Sequence, residues 1–114
     1  MLSLSKRLTM VQYSVKPEST ADNIELIRGV YAQLCDVKPS GLRYATLHDG
    51  AARFVHLAIV TPGAEPHPLL SQPAFHRFAA DMADRCNLPP EMVELEAVGS
   101  CCFLDSFIET LPGK

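Results

Sequence analysis

Residues 53–60, RFVHLAIV, decide how this chain must fold. Side chains along a strand alternate between faces, so Val55, Leu57 and Ile59 share one side while Phe54, His56, Ala58 and Val60 share the other. Both sides are apolar, and the second carries one imidazole. Such a strand needs cover twice over, yet a chain of 114 residues has material for one core. Helices of the same chain can cover one face. An uncovered patch around Phe54, Val60 and their neighbours on adjacent strands would reach roughly several hundred Å², the scale at which exposed apolar surface marks association. Twofold self-association is the commonest solution, so the sequence predicts a homodimer through the open sheet face.

The neighbouring segments supply the rest of the sheet. Leu42 to Leu47 is a second β-rich run, and the intervening HDGAA contains Asp49-Gly50, which suits a tight antiparallel hairpin. Upstream, Thr9 to Val15 alternates with Val11, Tyr13 and Val15 on one face and stops at Lys16-Pro17. Ser19 offers an N-cap, and Ile24, Ile27, Tyr31 and Leu34 follow at helical spacing to about Cys35. Downstream, the loop TPGAEPHP has too many prolines for regular structure. Ser71 or Gln72 then caps a second helix, with Pro73 in its first turn and Phe75, Phe78, Met82 and Cys86 on one stripe before Asn87-Leu88-Pro89-Pro90 stops it. Glu91 to Ala97 alternates again, and Gly99 marks a strand end or bulge. The tail DSFIETL is expected as a short helix or a swapped arm. The order β-α-β-β-α-β predicts an α+β, ferredoxin-like domain over residues 1–114, with a four-stranded antiparallel sheet, a core at about 9–103 and a tail at 104–114.

Composition narrows the function classes. With 47% hydrophobic and 20% charged residues, and a formal net charge of -3 spread along the chain, the sequence has neither a disordered composition nor a basic stripe that would follow nucleic acid. No apolar run approaches the ~20 residues of a membrane span, and MLSLSKRLTM lacks the features of a signal peptide, so a soluble cytoplasmic protein is expected. Cys35, Cys86, Cys101 and Cys102 have no C-x-x-C spacing, and adjacent strand residues such as Cys101 and Cys102 point apart; reduced, mostly buried thiols and no metal site are expected.

The β-α-β-β-α-β order, the opening VQYSVKPE (residues 11–18) and the helix start QPAFHRF (residues 72–78) resemble the dimeric α/β-barrel superfamily, in particular its antibiotic-biosynthesis-monooxygenase-like group. The resemblance implies two sheets packed face to face across a dimer and a pocket between each sheet and its helices. It also implies a function: binding of an aromatic or hydrophobic small molecule, with monooxygenase-like chemistry that needs no cofactor. A non-catalytic ligand-binding or assembly protein of the same fold is the alternative. Relatives write the helix start S-P-H-F-x-x-F. Here Pro73, Phe75 and Phe78 are kept, Gln72 and Ala74 replace the serine and histidine, and Leu69 stands at a further upstream histidine position, two residues from His67.

The candidate residues follow from chemistry and from this resemblance. His56 and His76 are the candidate bases, because imidazole exchanges protons near neutrality. Tyr13, Tyr44 and Arg43 can orient or stabilise a phenolic anion, and Arg43 and Tyr44 must point to opposite sides of their strand. His67 lies in the proline-rich loop at the expected pocket mouth, and Phe75, Phe78 and Met82 form the apolar wall. Each also has a plain structural reading: His56 as a hydrogen-bonded core or seam residue, His76 at a helix edge, His67 in solvent, the tyrosines as core. Haem degradation ranks lower, since its enzymes use a strand-one asparagine and a tryptophan, whereas this chain has Gln12 and no tryptophan.

Overall fold

A computed structural model describes residues 7–99 and 101 of the chain. The elements run β1 (Arg7–Val15), a single 3₁₀ turn (Pro17–Ser19), α1 (Thr20–Val37), β2 (Leu42–His48), β3 (Arg53–Val60), α2 (Pro73–Ala80), α3 (Met82–Arg85) and β4 (Cys86–Glu96). All strand pairings are antiparallel and the sheet order is β2-β3-β1-β4, the open α+β ferredoxin-like arrangement. The tail at 104–114 and Cys102 lie outside the described residues.

Register assigns the faces. Tyr13 pairs with Phe54, Val11 with His56, Thr46 with His56 and Tyr44 with Ala58, so these side chains share the side that the helices cover. There Tyr13, Val15, Tyr44 and Phe54 form one core with Ile27 and Val30 of α1, Ala74 and Phe78 of α2, and Leu69 of the preceding loop. The opposite side carries Val55, Leu57 and Ile59 with Met10 and Val93, all half-buried, and the more exposed Leu47 and Leu95. The apolar face without cover is therefore built on Val55, Leu57 and Ile59. Phe54 and Val60, expected in that patch, turn toward the helices, because Tyr13 of β1 pulls its register partner Phe54 into the core.

The hairpin between β2 and β3 forms as its residues require. Gly50 has φ 87°, and the Asp49 carboxylate accepts the backbone N–H groups of Ala51 (2.8 Å) and Arg53 (3.2 Å), which hold its carboxyl below the usual carboxylate range. At the other end of β2, Gly41 has φ 82°, and a Cβ there would come within 3.3 Å of Thr61.

Several boundaries differ from the sequence reading. Helix α1 continues past Cys35 to Val37, ended by Lys38 in the left-handed region with its N–H on the Leu34 carbonyl (2.8 Å). The second helix breaks at Asp81, whose φ of -112° is not helical, and Cys86 leaves the helical stripe to start β4. Strand β4 also starts at Cys86, ahead of the expected Glu91, and so runs through Pro89-Pro90, which the sequence reads as the stop of the second helix. It tolerates them because it is an edge strand: Gln12 pairs with Glu91 and Ser14 with Leu88, so both prolines oppose Tyr13 in a bulge. The thiols differ as well, for Cys86 is buried but Cys35 and Cys101 are exposed.

Candidate functional site

A row of polar side chains crosses the space between the sheet and the helices. At its centre is His56, only 5% exposed, on the helix-facing side of β3. The Tyr13 hydroxyl lies 2.7 Å from Nε2 and the Tyr44 hydroxyl 2.7 Å from Nδ1, with Thr46 Oγ1 at 3.2 Å from the same nitrogen. From Thr46 the row continues to the Tyr31 hydroxyl at 2.9 Å. From Tyr13 it continues to Asn23, whose Nδ2 donates to the phenolic oxygen (3.0 Å), and then to Arg85, whose Nε donates to Asn23 Oδ1 (2.9 Å).

Strand alternation produces this row. Tyr13, His56, Tyr44 and Thr46 occupy same-face positions on three adjacent strands, which puts cross-strand neighbours within side-chain reach. Asn23 and Tyr31 come down from α1, where Asn23, Ile27 and Val30 form the buried stripe. Arg85 depends on the helix break. Without Asp81 in helical geometry the Phe78 carbonyl is left for Arg85 Nη2, which donates to it at 2.5 Å, while the guanidinium lies 5.3 Å from the Phe78 ring centre. Arg85, 7% exposed, is thus a buried cation held by an amide, a carbonyl and an aromatic face.

Burial tunes every titratable member of the row. Desolvation lowers the His56 imidazole to about 4, against an ordinary 6.5, so the ring is neutral at physiological pH. Desolvation also raises the Tyr13 phenol to about 12, although the bond from Asn23 opposes the shift. Tyr31 and Tyr44 are pushed above the ordinary phenol range, again by burial. All three phenols are therefore protonated near neutrality. Aromatic contacts fix the ring planes: Tyr13 stacks on Phe54 (5.6 Å), Tyr31 on Tyr44 (5.2 Å), and Phe78 leans on His56 (5.3 Å).

Among the sequence candidates, the structure brings together His56, Tyr13, Tyr44 and Phe78. Phe75 and Met82 are half-buried against the same core. Arg43 is exposed and pairs with Ile59, which places it on the opposite face of the sheet. His76 is exposed and hydrogen-bonds the Leu70 carbonyl through Nε2 (2.5 Å); no contact joins it to His56. His67 has a defined local role, its Nδ1 accepting the backbone N–H groups of Leu69 (3.1 Å) and Leu70 (3.0 Å) in the turn before α2. Gln12 lies on the face opposite Tyr13, paired with Glu91 and hydrogen-bonded by Arg53, and so cannot serve a haem on the helix side. Asn23, Tyr31, Thr46 and Arg85 were missed by the sequence reading. The available signal was an asparagine on the stripe that continues through Ile27 and Val30, since a buried amide needs polar partners.

Among the described residues no group of three or more His, Cys, Asp or Glu side chains could hold a metal ion, and no helix is long and apolar enough to cross a membrane. No protein-family model and no curated protein matches the sequence. Solved structures do match. A protein from Nitrosomonas europaea classed with the antibiotic biosynthesis monooxygenases superposes with a TM-score of 0.66 at 20% identity, covering 81% of this chain and 89% of its own. Another Nitrosomonas europaea protein, of unknown function, gives 0.66 at 18% identity over 87% and 95% of the two chains. SnoaB, a cofactor-independent oxygenase from Streptomyces nogalater, gives 0.56 at 20% identity over 83% and 96%. At these identities the likeness is one of architecture, and this chain has the ferredoxin-like fold of the antibiotic-biosynthesis-monooxygenase-like proteins.

Proposed function

We propose that the protein is a homodimer that binds a flat aromatic or other hydrophobic small molecule against the Tyr13–His56–Tyr44 row, and acts on it as a cofactor-independent, monooxygenase-like enzyme. The observation that carries this reading is the row itself. An apolar core of equal volume would support the fold as well, so a bonded row of six polar side chains centred on one imidazole, three of them touching it, is better explained by a ligand oxygen than by packing. Support for the dimer comes from the face built on Val55, Leu57 and Ile59, which no element of the described residues covers. SnoaB, which shares the fold, is a cofactor-independent oxygenase.

In this reading Phe78, Phe75 and Met82 form the apolar wall, and the tyrosines set the ligand's orientation. A phenolic ligand that loses its proton places charge on ring carbon, where dioxygen can react. Because burial holds His56 neutral and both its ring nitrogens are bonded to tyrosine hydroxyls, the favoured substrates are phenols acidic enough to bind as the anion.

A second reading, a non-catalytic ligand-binding or assembly protein, has its own observation. Among the described residues every buried side-chain nitrogen and oxygen already has a partner. Oxygen uptake in the presence of a dihydroxyanthrone separates the two. Uptake above the spontaneous rate that disappears in His56→Ala supports the enzyme. Binding without uptake supports the second reading, and absence of both removes the ligand site.

A further inference from the structure

We propose that Arg85, acting through Asn23 and Tyr13, is a positioning residue that decides which nitrogen of His56 carries the proton, and thereby leaves the Tyr44–Thr46–Tyr31 end of the row with a hydroxyl hydrogen to donate. Arg85 is the one member of the row whose hydrogen-bonding role is fixed. A guanidinium only donates, so the Asn23 atom 2.9 Å from Arg85 Nε must be the carbonyl oxygen. The amide nitrogen then faces Tyr13 and donates to its oxygen at 3.0 Å. With that oxygen already accepting, the Tyr13 hydrogen points along its other contact, to His56 Nε2 at 2.7 Å. Nε2 is therefore the bare nitrogen. In the neutral ring the proton resides on Nδ1, which donates to Tyr44 at 2.7 Å and, more weakly, toward Thr46 at 3.2 Å.

Counting hydrogens gives the consequence. Tyr44, Thr46 and Tyr31 carry three hydroxyl hydrogens, and three hydroxyls in a row, of which Thr46 and Tyr31 bond at 2.9 Å, can form at most two hydrogen bonds among themselves. Nδ1, being protonated, accepts none of them. One hydroxyl hydrogen thus has no acceptor within the cluster and is available to another oxygen. Were the proton on Nε2, a bare Nδ1 would absorb that hydrogen, and the surplus would vanish. In the ligand site proposed above, on which this clause alone rests, the row serves a carbonyl or an ionised phenol and does not withdraw a proton from a neutral one. Reversing it would set the Tyr13 hydroxyl hydrogen against the Asn23 N–H.

The test is the tautomer of His56, read from nitrogen NMR shifts of labelled protein at neutral pH, with the resonance assigned by its loss in His56→Gln. The wild-type ring is expected to show the proton on Nδ1. Asn23→Asp keeps the shape and the Arg85 partner but replaces the donor to Tyr13 with an acceptor; the Tyr13 hydroxyl turns to the new carboxylate, and the proton is expected to move almost entirely to Nε2. A merely structural Asn23 would alter stability and leave the tautomer alone. A wild-type ring protonated on Nε2 overturns the proposal, as does an unchanged tautomer in folded Asn23→Asp. Para-nitrophenol tests the ligand site separately: bound to wild type it should ionise at lower pH than in water, and to Asn23→Asp less so. Failure to bind, with the tautomers as expected, removes the ligand site and leaves the assignment of Arg85 standing.

Discussion

His56 illustrates how burial changes what a residue can do. On an exposed loop an imidazole would gain and lose its proton near neutrality; between β3 and the helices it stays neutral to about pH 4. The unfolded chain protonates this ring below about 6.5 and the folded chain does not, so stability should fall as pH drops from about 6.5 toward 4, by about 3 kcal/mol in all. The Tyr13 phenol acts at the other extreme: raised to about 12, it should make stability fall again above pH 10, where the unfolded chain ionises first. Urea midpoints measured across both windows check the two slopes. Removing one member of the row leaves its buried neighbours without a partner, so Tyr13→Phe or Tyr44→Phe should cost about 1–3 kcal/mol. His76→Ala, at an exposed position, should stay within about 0.5 kcal/mol.

At the scale of elements, the helical half of the site is held by caps formed by distant residues. Gln33 on α1 accepts the Ala74 N–H at 2.7 Å, supplying at the start of α2 the bond that the Gln72 side chain, occupied with the Pro68 carbonyl, does not make. His67, by contrast, caps the preceding turn locally, accepting the N–H groups two and three residues on. Gln33→Ala and His67→Ala should each lower thermal stability by about 1 kcal/mol, measured by unfolding monitored with circular dichroism. These roles show where sequence reading runs out. Strand alternation and the Asp49-Gly50 turn are local, so the four strands and their succession along the chain were legible from residue spacing, whereas the face of β3 that carries Phe54 and His56 was expected to be the bare one and is the side the helices cover. Gln33 and Ala74, or Arg85 and Asn23, are far apart in the chain and meet only through packing. The run through Pro89-Pro90 was misjudged because proline is tolerated according to a strand's place in the sheet, which spacing does not reveal.

At the scale of the molecule, the exposed sheet face and the tyrosine row make separate claims. If Val55, Leu57 and Ile59 meet their counterparts in a second copy, light scattering should return twice the 12.5 kDa chain mass, and Leu57→Lys should reduce it to one. The helix side, on the opposite face of the sheet, should keep its tautomer and its stacked rings in a folded Leu57→Lys chain. The row has another use. The chain has three tyrosines and no tryptophan, and Tyr13, Tyr31 and Tyr44 all belong to the row, stacked or bonded around one histidine. The protein's tyrosine emission therefore originates wholly within the candidate site, so a molecule entering there should announce itself as quenching or a shifted lifetime, without any dye or label attached.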